Sequence, residues 1–179
     1  FARCEEPPVG PHPGQGNAAN HAKKHAADVA VQWINLQQSL IKTTPGFDPL
    51  VASRSFSFSG LTLYESVVKG MPGYQSVASP RIGTDINVIP NNHSIYWPAS
   101  ANAAMAVMLK NLFANTSATN KNKIDSLESA FNLQFQDQAN AEVLDQSVEY
   151  GRKIANHIFD WSKTDGGHEA YLGATNSSY

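Results

Sequence analysis

A single cysteine, Cys4, stands in a chain of 179 residues. That rules out an internal disulfide and a cysteine-based zinc site within these residues. A cysteine so near the start can be compared with the lipidated residue of a bacterial lipoprotein. Ala2-Arg3, however, puts no small residue directly before it, and a free thiol is the leading reading. Charge is also sparse: 16% of residues, thirteen basic against fifteen acidic, for a net −2. This balance gives no general electrostatic case for a nucleic acid or an anionic membrane. No stretch reaches the ~18 uninterrupted apolar residues of a transmembrane helix, and no signal peptide is visible. The first residues are Phe-Ala-Arg rather than Met, so a trimmed targeting segment is expected. Low charge with abundant Asn, Ser, Gln and Ala points to an exported protein, periplasmic or at the cell surface.

What is present is helical. Residues 1–16, with Pro-Pro, Pro-His-Pro-Gly and Gly-Gln-Gly, read as an extended leader. A first helix is expected from Asn17 or Asn20 to Ile41, where Ala26, Val29, Ala30, Trp33, Leu36 and Leu40 keep the 3.6-residue period. A second, taken as the organising helix, spans Asp48–Tyr74. Asp48 suits the N-cap, Pro49 the first turn, and Gly70 a left-handed C-cap. Apolar residues on nearly every face of it predict burial all round, with Arg54 and Glu65 requiring partners. Residues 71–96 form one long irregular connection. Its Tyr74, Val77, Ile82, Ile86, Val88 and Ile89 predict that it packs down over the helices. An alanine-rich helix follows from Trp97-Pro98 to about Phe113. A more amphipathic one carries Ile124, Leu127, Phe131 and Phe135 on one side and Lys123, Asp125 and Glu128 on the other. A fifth runs from near Asn140 to about Ser162. The expected fold is all-α: about five helices and one long loop, with the helical domain over residues 17–165 and a loop over 166–179.

Chemistry is hard to find. His21 and His25 have the spacing of a metal pair on one helical turn. No third ligand is identifiable, the flanking lysines repel a cation, and an exposed polar face is the leading reading. Gly166-Gly-His-Glu169 places a histidine beside a carboxylate with no nucleophile in view and no Gly-x-Ser-x-Gly elbow, so it reads first as a helix-ending loop. Arg54 and Glu65 project from nearly the same helix face about three turns apart and read first as structural. No catalytic, cofactor-binding or metal-ligating residue is assigned.

Particular runs nevertheless resemble a known family. They are Arg54-Ser-Phe-Ser-Phe-Ser-Gly-Leu-Thr-Leu-Tyr-Glu-Ser-Val-Val-Lys-Gly-Met-Pro-Gly-Tyr-Gln-Ser76, Tyr96-Trp-Pro-Ala-Ser-Ala-Asn-Ala-Ala-Met105, Leu127-Glu-Ser-Ala-Phe131, Ser147-Val-Glu-Tyr-Gly-Arg-Lys-Ile-Ala-Asn-His-Ile-Phe-Asp-Trp161 and Asp165-Gly-Gly-His168. Together they resemble the N-terminal helical half of bacterial vanadium-dependent haloperoxidase-like proteins, in the type 2 phosphatidic acid phosphatase superfamily. The resemblance covers roughly Trp33 to Tyr171. It implies a parent protein that binds vanadate or phosphate through Lys, Arg and His in three blocks: Lys then Arg-Pro, Pro-Ser-Gly-His, and Ser-Arg followed by His.

None of those blocks is present. Arg3, Arg54, Arg81 and Arg152 do not precede proline. Ser53-Arg54 matches two letters of the third block, but Gly60 and Leu61 occupy the place of its histidine. The resemblance therefore implies a non-catalytic piece whose partner is the C-terminal half of the same protein. Apolar faces of the Leu61 or Met105 kind would then be exposed or dimerised. The competing expectation is a free-standing exported helical module that binds or coats without enzymatic activity.

Overall fold

The computed structural model describes residues 21–90 and 93–173. Among these there is no strand. Six α-helices form the fold, five of them long: α1 (Asp28–Thr43), α2 (Pro49–Glu65), α3 (Ser79–Ile82), α4 (Trp97–Leu112), α5 (Ala118–Phe135) and α6 (Ala141–Ser162). The expected leader, Cys4 and residues 174–179 lie outside the described residues.

The organising helix is α4, not α2. Twelve of the sixteen residues of α4 are buried, and α1, α2, α5 and α6 all pack on it. Its alanines are what allow this, because small side chains let four neighbours approach one axis. α6 comes close to α4 at Gly151. A Cβ there would overlap the Ser100 carbonyl oxygen and lie 2.9 Å from the carbonyl carbon.

Asp48 caps α2 as expected, its Oδ1 accepting the Leu50 and Val51 N–H groups with Pro49 in the first turn. The rest of that expectation is corrected. The buried residues of α2 are Ser55, Ser59, Thr62 and Glu65, whereas Leu50 is 82% exposed and Phe56 stands partly in solvent. A helix apolar on several faces can bury only one of them, and here the small polar face fits against α1 and α4. Ser59 donates to Gln37 Oε1 on α1 at 2.7 Å, which satisfies a fully buried amide.

The helix also ends at Glu65, well before Gly70. Side chains take its last carbonyls: Asn87 Nδ2 donates to Glu65 O and Ser100 Oγ to Ser66 O. Gly70 lies in a 3-10 turn over Val68–Gly70 and has no left-handed φ. Its missing side chain instead leaves room for the Trp97 indole.

Other boundaries moved too. The expected start at Asn17 or Asn20 lies outside the described residues. α1 begins at Asp28, past Ala26, and its first buried residue is Val29, while a separate 3-10 turn covers Ala22–Lys24. The 71–96 connection packs down in part. Ala78, Ile86, Asn87 and Ile95 are buried, but Tyr74, Val77 and Val88 are exposed. Glu128, placed by its amphipathic pattern on the solvent side, is buried and pairs with Lys110 at 2.8 Å and Arg152 at 3.3 Å. Met105 is sealed inside at 1% exposure and Leu61 is half-buried, so neither forms the open apolar face expected of a lone piece.

Gly60 offers a direct test of helix α2. It lies mid-helix with no atom within 4 Å of where a Cβ would sit. Gly60→Ala should stabilise the chain by about 0.5–1 kcal/mol, the usual helix-interior difference. Urea unfolding followed by circular dichroism would read it as a higher midpoint with an unchanged slope.

Candidate functional site

Arg54 lies on the side of α2 that faces the end of α6. Its Nε donates to Asp165 Oδ2 at 2.7 Å, and its Nη2 donates to Asp165 Oδ1 at 3.0 Å and to Ser162 O at 2.6 Å. The guanidinium also lies over the Phe58 ring, 4.8 Å from its centroid. One planar fork thus holds a carboxylate and a helix-end carbonyl together, a geometry that lysine does not reproduce. Gly167 closes the turn: its N–H donates to Asp165 Oδ1, and a Cβ would press on the Arg54 side chain at 2.8 Å.

Burial alone would raise the Asp165 carboxyl pKa, but hydrogen bonds from Arg54 and the Gly167 N–H, with the Arg54 charge, outweigh it and hold the group below its ordinary value. A depressed carboxylate pKa stabilises the fold above the unfolded value and loses that contribution as pH falls through the folded one. The clamp should therefore weaken below about pH 4, the ordinary aspartate value. The expected result is a Tm difference between the parent and Asp165→Asn that is present at pH 7 and has shrunk by pH 3. A difference constant over that range would contradict the assignment. Because Asp165 is partly exposed, the effect is modest.

His168, the other sequence candidate, lies next to this clamp. Its ring meets Phe159 edge-on at 5.8 Å, and Nε2 is 4.0 Å from Glu169 Oε1. The enclosed space here, bordered by Arg54, Phe159, His168 and Tyr171, is about 20 Å³, room for one water. This is a packed corner. The chain returns through it to the α1–α2 turn, where Phe47 lies between Phe113 and Tyr171 with centroids at 4.3 and 6.0 Å. At that turn Gly46 has φ +86°, and a Cβ would strike the Tyr171 carbonyl.

His21 and His25 do not share a helical turn. They flank the 3-10 turn in extended conformations, and His25 meets Tyr96 edge-on at 5.0 Å. Burial lowers the His25 pKa, which suits a ring packed against an aromatic. Among the described residues no group of three or more His, Cys, Asp or Glu is placed to hold a metal ion.

Glu65 is fully buried, and its Oε1 accepts the Val77 and Ala78 N–H groups at 2.7 and 2.8 Å. It fastens the long connection to α2. Ser79 adds to this fastening, with its Oγ donating to Asn87 Oδ1 and accepting from the Ile86 N–H. Arg54 and Glu65 therefore both have structural partners, at opposite ends of α2's packing face.

Three of the cations are engaged by carboxylates. Arg54 holds Asp165 and Ser162, while Lys110 and Arg152 converge on Glu128. One open surface of about 580 Å³ runs along α6 past Glu149, Arg152, Lys153 and His157, with both charge signs mixed.

No family model, curated protein or solved structure matches this chain. The structure itself supplies what the sequence search missed. Asn102, inside the alanine run of α4, accepts the Trp33 Nε1–H at 2.9 Å and donates to Glu128 O and Asn132 Oδ1, each at 3.0 Å. An amide in the middle of an otherwise apolar run was the signal for it, since a buried amide requires partners.

Proposed function

We propose that this chain is the N-terminal, non-catalytic helical portion of a vanadium-dependent haloperoxidase-like or phosphatidic acid phosphatase-like phosphoesterase. By itself it is inactive, and vanadate or phosphate is held by residues outside it. The observation that carries this reading is the Arg54–Asp165 clamp, which joins two of the resembling runs across 111 residues. Other runs meet in the same way: Gly70 against Trp97, and Ser100 against Gly151. Those runs act as joints between helices, so a resemblance resting on them is one of architecture.

The test is to read the coding sequence beyond Tyr179 and assay its full product. The expected result is a much longer protein that oxidises bromide with vanadate or hydrolyses a phosphomonoester, while the 179-residue chain does neither. A coding sequence that stops at Tyr179 would overturn the reading.

The alternative, an exported helical binding or surface module, is favoured by one observation. Residues 29–41 carry no charge, and Arg54 is the sole charge in residues 49–64, yet Val31, Ile34, Leu50 and Phe56 reach solvent. Uncharged exposed surface of this kind suits contact with another macromolecule, a homodimer included. It predicts a full product without either activity.

A further inference from the structure

Thr62 Oγ1, Glu65 Oε2 and Tyr150 Oη are buried and have no protein hydrogen-bond partner among the described residues. Thr62 and Glu65 lie on the last turns of α2, against which the 71–90 connection folds back. Tyr150 lies on α6, near enough to Glu65 and Asp85 to feel both charges. Thr62 lies one turn before Glu65 on the same buried face. Tyr150 packs edge-on against Trp97 at 6.3 Å, and the Asn87 side chain stands near its hydroxyl without closing a hydrogen bond to it. Asn87 in turn donates to the Glu65 carbonyl. Among the described residues no cation is paired with Glu65; Lys69, the nearest lysine in sequence, pairs with Asp85 at 3.6 Å. Burial raises the Tyr150 hydroxyl pKa well above the ordinary tyrosine value, and the charges of Asp85 and Glu65 add to this while Asn87 opposes it. The hydroxyl therefore keeps its proton and offers it as a donor.

We propose that these oxygens bound an internal solvent site, in which one ordered water bridges Glu65 Oε2 and Tyr150 Oη. The chemistry selects water. A carboxylate oxygen needs a donor, a tyrosine hydroxyl both gives and takes, and a buried water is held by two to four such groups. A bound calcium or magnesium ion would need six or more oxygens or an octahedral set, and Glu65 is the one carboxylate here with a free oxygen, since Asp85 is engaged by Lys69 and by the Asn87 N–H. The water ties α6 to the joint that already fastens the long connection to α2. Three elements far apart in sequence then open together rather than separately.

The decisive experiment is a crystal structure of the unmodified chain at about 1.8 Å or better, combined with a double-mutant cycle. The structure is expected to show a solvent peak within hydrogen-bond distance of Glu65 Oε2 and Tyr150 Oη. Tyr150→Phe, which keeps the ring against Trp97, and Glu65→Gln should each lower Tm by a few degrees. The double variant should lose clearly less than the sum of the two. A peak with contacts near 2.4 Å, typical of a calcium ion, or no peak bridging the two atoms, overturns the proposal. So do strictly additive losses. Should Glu65→Gln fail to fold, Tyr150→Phe alone decides alongside the map: a variant as stable as the parent overturns it.

Discussion

Replacing Gly151 by alanine should destabilise the protein by about 2–3 kcal/mol, although alanine is the better helix former. The helix-propensity gain is about 1 kcal/mol. Against it stands the Ser100 carbonyl, whose oxygen and carbon occupy the space a Cβ requires. Both atoms belong to the α4 backbone, so no rotamer change relieves the clash. α4 and α6 must move apart. A clash between two backbones belongs at the top of or above the roughly 1–3 kcal/mol typical of overpacked cores, a gross loss of about 3–4 kcal/mol before the propensity gain is subtracted. For a chain of this length the net loss corresponds to a Tm drop of about 4–12 °C. Gly60→Ala is the control with the opposite sign. The same substitution, in a helix whose Cβ position is open, should raise stability, and thermal melts of the two variants read the contrast directly. A Gly151→Ala chain as stable as the parent would mean that α4 and α6 are not in this close contact.

Asn102→Ala should cost about 3–4 kcal/mol, far more than an exposed amide substitution. Asn102 is fully buried and makes three hydrogen bonds, to Trp33, Glu128 and Asn132. Removing it leaves the Trp33 indole N–H without a partner, and a buried donor stranded in this way costs about 1–3 kcal/mol by itself. The vacated volume adds to that loss. The indole is the informative group, because Trp33 has no exposed surface. Trp33→Phe in the Asn102→Ala background removes the orphaned donor, so the second substitution should cost less there than in the parent. Chemical denaturation of the four proteins gives the coupling, with about 1–2 kcal/mol expected. Independent losses would show that the indole–amide bond contributes nothing to stability.

How legible was the fold? Helix identity followed from periodicity and from one cap: Asp48 accepts the N–H groups that its position called for, while Ser117 and Asn140 cap α5 and α6 in the structure. What misled was inferring burial from apolar count. α2 is apolar on several faces, and that made it look central. α4 holds the centre because alanine lets neighbours close in, a packing property that hydropathy does not register. Glu128 fits its amphipathic pattern as a solvent residue, but its neighbours Lys110 and Arg152 come from other helices, and no local pattern foretells that. The same holds for the candidate site. Arg54, Glu65 and His168 stood out by type, whereas their partners Asp165, Ala78 and Phe159 were fixed only by tertiary structure. Asn102 and Tyr150 were passed over because a single polar residue in a helix has many bland readings until its surroundings are known.

The central position of α4 has a consequence for synthesis. Trp33 finds its hydrogen-bond partner 69 residues further along the chain. At translation rates of about 5–20 residues per second, that interval lasts roughly 3–14 seconds. Throughout it, Val29, Trp33 and Leu40 have no alanine helix to close over them, and α1 and α2 are held to each other chiefly through Gln37 and two serines. The nascent chain therefore carries its first two helices as an open, sticky pair until α4 emerges. A synonymous slow stretch ahead of α4 should lower soluble yield, while one placed after α6 should not.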